Sequence, residues 1–276
     1  MAKHLTVNNE DEVREIVGLY EGEQPLFVSS NLSGSKIRHN DLTFVIDSSY
    51  QPDVFDVTSI SSSQFLNQTT LIGLSIGNKI TTIGSSAFSG CTGLSGALVI
   101  PSSVTSIQAS AFINCTGFQE LILEDGLTSI GGSAFRYCQF SGPLYIPDTV
   151  TTIGLSAFRD CTNISGQMTI PLSVSSVGIT AFAGCTGLDK DIVIKGNSII
   201  SSNAFQNCTS VKNVYCNMSA TNWSTNSLNA CGSVTSKLYV TPSYISGYGT
   251  VGSTGFRGFP GTLQTWTNYP NPMHET

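Results

Sequence analysis

The sequence predicts a β-rich repeat solenoid: one elongated domain with a parallel sheet of short strands on one side and turns and short helical segments on the other. Three observations predict it. Near copies of the stretch IPDTVTTIGLSAFRDCTNI, residues 146–164, recur along most of the chain. The copies align on an aromatic followed three residues later by a cysteine, at Phe88/Cys91, Phe112/Cys115, Phe135/Cys138, Phe158/Cys161, Phe182/Cys185 and Phe205/Cys208, with steps of 24, 23, 23, 24 and 23 residues. A pair of the form Leu-x-Ile recurs at the same period. A unit this short cannot bury its own apolar side, so it must stack on its neighbours.

Taken in order, residues 1–56 read as an N-terminal cap that covers the open apolar end of the first coil. Asn8 and Asn9 precede Glu10, Asp11 and Glu12, and the apolar residues Val13, Ile16, Val17 and Tyr20 follow helical spacing. This pattern predicts a helix that ends near Gly22 and Pro25. Leu26 to Val28 and Leu42 to Ile46 read as strands. Repeats occupy residues 57–240, about eight of them, beginning with an atypical copy in which Gln64 and Gln68 replace alanine and cysteine. An edge coil is expected to depart from the consensus.

Within a repeat the Leu-x-Ile pairs are Leu74/Ile76, Leu98/Ile100, Leu121/Leu123, Leu144/Ile146, Met168/Ile170, Ile192/Ile194, Val214/Cys216 and Leu238/Val240. Alternation along a strand sends these residues inward. Val104, Ile107, Ala111, Phe112, Cys115 and their equivalents fill the rest of each coil. Pro101, Pro147 and Pro171 end strands, and Gly84, Gly131, Gly154 and Gly178 sit where a backbone bend calls for a small residue. Residues 241–276 form a C-terminal cap and tail, with Tyr244, Tyr248, Phe256, Phe259 and Trp266 covering the last coil.

Seven of the eight cysteines share one repeat position and only Cys216 lies off it. Stacked cysteines have parallel side-chain vectors, which does not suit a disulfide. They read as compact buried filling. No CxxC or CxxH pairing accompanies them, so no metal is expected, and no other cofactor.

The pattern I-P-x-x-V-x-x-I-G-x-x-A-F-x-x-C-x-x-L, as in IPSSVTSIQASAFINCTGF and IPDTVTTIGLSAFRDCTNI, resembles the BspA-like leucine-rich repeat family over roughly residues 57–240. The resemblance implies a leucine-rich-repeat solenoid and a surface protein that adheres to host proteins or other cells, with no enzymatic activity and no catalytic residue to carry over.

The residues themselves point the same way. His4, His39 and His274 lie outside the repeats, and acidic residues such as Asp148 and Asp160 occur singly at turns, so no catalytic constellation assembles. Only 11% of residues are charged, against about 25% in ordinary globular chains. Residues 1–56 carry ten acidic and four basic side chains, while residues 57–276 carry eight of each. A neutral solenoid offers no footprint for nucleic acid or an anionic membrane. No apolar run approaches the roughly 20 residues of a membrane span.

Function is therefore expected on the outward face of the strands. The middle residues of the Leu-x-Ile units are Ser75, Val99, Ile122, Tyr145, Thr169, Val193, Tyr215 and Tyr239, flanked by Ala97, Glu120, Pro143, Gln167, Asp191, Asn213 and Lys237. One reading makes Val99, Ile122, Tyr145, Thr169, Val193, Tyr215 and Tyr239 a binding face. The other treats them as residues that suit a pleated surface and stack across strands. The chain start lacks the apolar core of an export signal, and the surface is polar and uncharged. Together these suggest a virion-borne protein, such as a bacteriophage fibre-like or decoration component, whose acidic cap contacts other virion proteins and whose repeats meet a protein or host-surface receptor. The alternatives are a secreted bacterial cell-surface adhesin and an intracellular interaction scaffold. The side edges of the solenoid also allow a homo-oligomer.

Overall fold

The computed structural model describes residues 58–250 and 252–265 in full, and the backbone of four strands ahead of them: Lys3–Asn9, Glu12–Glu21, Gln24–Leu26 and Thr43–Ile46. Among the described residues the regular structure is strand and turn, with three 3-10 helices of three residues each near the C-terminal end.

The coils carry strands on two faces. One face is a continuous seven-stranded parallel sheet of two-residue strands: Ser59–Ile60, Thr82–Ile83, Ser106–Ile107, Ser129–Ile130, Thr152–Ile153, Ser176–Val177 and Ile199–Ile200. The second residue of each strand is an aliphatic that points into the core, and the first, Ser or Thr except for the exposed Ile199, points out, following strand alternation. The sequence identified these aliphatics as inward residues, but not as a sheet of their own. The other face carries the longer Leu-x-Ile strands, and here pairing is interrupted. Gly96–Ile100 pairs with Phe118–Leu123, and a five-stranded sheet runs from Met168–Ile170 through Ile192–Ile194, Asn213–Cys216 and Lys237–Val240 to Thr262–Thr265.

Between these sheets lies the coil of Leu144 and Ile146, which forms no strand. Both side chains still point inward and are buried, but among the described residues no backbone hydrogen bond ties residues 144–146 to either neighbour. The sequence predicted a rung here. Pro143 has no N–H to donate to the ladder, whereas the positive φ of Gly142 is shared by the equivalent Gly96 and Gly166 of coils that do pair.

The core is a set of stacked side chains. Phe65, Phe88, Phe112, Phe135, Phe158, Phe182 and Phe205 form one column, with successive ring centroids 4.9, 5.2, 5.5, 5.2, 5.3 and 5.3 Å apart and rings within 18° of parallel. Backbone bonds reinforce the column: Phe88 N–H donates to Ala111 O at 2.7 Å and Gly90 N–H to Ile113 O at 2.8 Å. The turn around each phenylalanine holds two residues in the left-handed region, for example Ser156 at φ 55° and Asp160 at φ 60°. Ser, Asn, Asp and Gly fill most of these positions, but Tyr137 and Ala230 also occupy them. A left-handed residue with a Cβ costs roughly 1–2 kcal/mol.

The recurring glycines have a different cause from the one the sequence suggested. Gly154 and Gly178 lack positive φ; they are small because the preceding coil's backbone passes directly beside them. A Cβ on Gly154 would meet the Gly132 nitrogen at 2.6 Å, and one on Gly178 would meet the Gly154 carbonyl carbon at 2.5 Å.

The ends differ from expectation. Where a helix was predicted around Val13, Ile16 and Val17, Glu12–Glu21 is a strand, antiparallel to Lys3–Asn9 with Leu5 opposite Ile16. These three residues are β-branched, and pairing with the strand just before them in a tight hairpin overrides the helical periodicity. Thr43–Ile46 pairs in parallel with Gly73–Ile76, and Thr262–Thr265 with Lys237–Val240, so the sheet runs past residues 57 and 240 at either end. At the C-terminal end Tyr248 and Phe259 are buried, with Phe256 packed on the Tyr248 ring at 4.6 Å. Tyr244, expected to cover the last coil, is 38% exposed, and Trp266 lies outside the described residues.

Two stability predictions follow from this geometry. Gly154→Ala should destabilise the fold by about 3 kcal/mol, the upper range for overpacking, measured as a lowered urea midpoint. Ala230→Gly should stabilise it by about 1 kcal/mol, measured by thermal denaturation; no gain would mean that the left-handed turn is not strained there.

Candidate functional site

The outward face of the longer strands divides in two. Val99 is 38% exposed, Ile122 39% and Tyr145 63%, on three successive coils, with Thr169 half-buried on the next. Val193 and Tyr215 are buried, which removes them from the open face that the sequence predicted. Alternation fixes which side of a strand a residue takes, but not whether that side is open. Tyr215 stacks on the half-buried Tyr239 ring at 4.6 Å and 2°, the cross-strand packing that the second reading anticipated.

A groove of about 460 Å³ opens where the sheet is interrupted. Tyr145 and Asp148 line it from one coil, Gln167 and Thr169 from the next, and Lys195 from the one after, with Pro143 and Pro171 at its sides. Partial burial, then the charges of Asp125 and Asp148, raise the Tyr145 phenol above its ordinary value of 10.0, so it stays protonated and a donor at neutral pH. Sequence reasoning singled out Pro143, Tyr145, Gln167 and Thr169 but missed Lys195, which lies just past a strand end. Pro143 was the available signal that the ladder breaks here.

The turn side exposes aliphatics that the sequence analysis did not select. Leu155 and Ile179 occupy equivalent positions on adjacent coils and are 53% and 48% exposed.

The pattern of the BspA type leucine rich repeat region matches residues 58–189 and 143–248, with 6 copies. The chain belongs to the BspA-type leucine-rich repeat family. Two solved structures of leucine-rich repeat proteins share this fold. One, from T. pallidum, is 23% identical with a TM-score of 0.51, covering 68% of this chain and 76% of its own. The other, from Bacteroides ovatus, is 20% identical with a TM-score of 0.53, covering 94% of this chain and 77% of its own. No curated protein sequence matches the chain.

In this BspA-type repeat the cysteines serve the stack. All eight are free and buried. From Cys91 to Cys208 each ladder thiol donates to a phenylalanine carbonyl of the preceding coil: Cys115 Sγ to Phe88 O at 3.0 Å, Cys161 Sγ to Phe135 O at 3.0 Å, Cys185 Sγ to Phe158 O at 3.1 Å. Cys216, off the ladder, lies 3.5 Å from the Tyr248 hydroxyl, which accepts from Trp223 Nε1 at 2.8 Å and donates to Met218 O at 2.9 Å. Among the described residues no group of three or more His, Cys, Asp or Glu is placed to hold a metal ion.

Burial raises these thiols from the ordinary 9.0, to about 11 at Cys91 and about 12 at Cys208 and Cys216. The neutral form is therefore favoured in the fold. Its contribution is fully present below pH 9 and is lost as pH rises past the unfolded value towards the folded one. Each such thiol should cost about 1.4 kcal/mol for every pH unit above 9 in that window. The urea midpoint should drop steeply between pH 9 and about 11, and native thiols should resist alkylation at neutral pH; labelling of the folded chain would contradict their burial.

Proposed function

We propose that this chain is a non-enzymatic recognition protein displayed on a bacterial surface, binding a protein or host-surface receptor through the open half of its longer-strand face. The observation that carries this reading is the run of exposed Val99, Ile122 and Tyr145 on successive coils. A solenoid presents such a run as an extended contact surface, and tyrosine combines contact area with a polar tip. Membership of the BspA-type family supports the cell-surface address over the virion-borne component suggested by composition. It equally supports a binding scaffold over an enzyme. The virion reading drew on the acidic residues of 1–56, whose side chains lie outside the described residues.

The test is attachment of beads coated with the whole chain to host epithelial cells and to immobilised extracellular matrix proteins. Ile122→Ser with Tyr145→Ser should cut attachment at least tenfold while the circular dichroism spectrum stays unchanged. Undiminished attachment by the folded double variant would overturn the assignment of the face.

A further inference from the structure

We propose that the groove at the break in the longer-strand sheet docks a polyproline II segment of the partner that carries one basic and one acidic side chain three residues apart. This rests on the surface-recognition reading above and narrows it to one segment chemistry.

The groove holds opposite charges. Asp148 and Lys195 both line it, and among the described residues neither takes part in an ion pair. In a solenoid with only eight acidic and eight basic residues over positions 57–276, two such charges stand out from a neutral surface. They lie two coils apart. At roughly 4.8 Å between neighbouring strands, that places them on the order of 10 Å apart along the axis. A polyproline II chain has three residues per turn and advances roughly 3.1 Å per residue, so side chains three residues apart face the same way and span about the same distance.

The acidic end is built for a cation. Asp125 on the preceding coil and Asp148 both act on the Tyr145 hydroxyl, and the 63% exposed ring offers its face to a guanidinium or ammonium group. The Lys195 end takes a carboxylate. Between them Gln167 and Thr169 supply an amide and a hydroxyl, which pair with peptide N–H and C=O groups. A neutral glycan would gain nothing from the separation of charge, so the polarity of the groove favours a peptide.

The test uses two fluorescein-labelled hexapeptides, Gly-Arg-Ala-Ala-Glu-Gly and Gly-Glu-Ala-Ala-Arg-Gly, titrated against the whole chain by anisotropy at low ionic strength. One polarity should bind about fivefold more tightly than the other, the scale of an exposed ion pair. The exchange variant Asp148→Lys with Lys195→Asp should invert that preference with its circular dichroism unchanged. Equal binding of the two peptides, no binding of either, a preference that survives the exchange, or displacement by a neutral hexasaccharide would each overturn the proposal. If the peptides fail while Ile122→Ser with Tyr145→Ser still abolishes attachment, the groove proposal falls and the surface-recognition reading stands. If that double variant also attaches normally, both fall.

Discussion

The structure depends on keeping successive coils about 5 Å apart along the phenylalanine column. That spacing lets ring lie on ring, lets the N–H groups of one turn reach the carbonyls of the next, and lets each thiol reach the phenylalanine carbonyl of the preceding coil. It also dictates the recurring glycines, because at this distance a Cβ at Gly154 or Gly178 would occupy the neighbouring backbone. Motif residues that look unrelated in sequence thus answer to one distance. Cysteine suits its place because it is small and apolar enough for a dry column and carries a weak donor for a carbonyl that already accepts a backbone N–H.

A rigid stack on one side leaves room for variation on the other. The two-residue strands form an unbroken sheet of seven, while the longer strands are divided at the coil carrying Gly142, Pro143 and Tyr145. The coil is held by its buried Leu144, Ile146 and Phe135, so losing backbone pairing there does not unseat it. The interruption instead shapes the surface, opening the groove next to the most exposed aromatic of the outward face. The Leu and Ile positions determine that the coil stays in the stack; the intervening residues determine what it shows to a partner.

The outward face shows where reading the sequence reaches its limit. Val99, Ile122, Tyr145, Val193 and Tyr215 obey the same alternation rule, yet the first three are open and the last two are buried. Alternation is a property of one strand, whereas openness depends on everything else near that surface. The same limit explains the N-terminal strand of Val13, Ile16 and Val17, where spacing suited a helix and a partner strand chose otherwise.

The class of fold, the period, the identity of nearly every inward residue and the structural role of the cysteine ladder were all legible in the residues. They were so because a repeat restates its own constraints in every copy, so that an inward position shows as a column of apolar residues. The second sheet of two-residue strands, the reason for the glycines, the break at Pro143 and the meeting of Asp148, Tyr145 and Lys195 in one groove emerged from the packing of the coils. Each of these depends on how far one coil lies from the next at a particular point, a distance that no single repeat encodes.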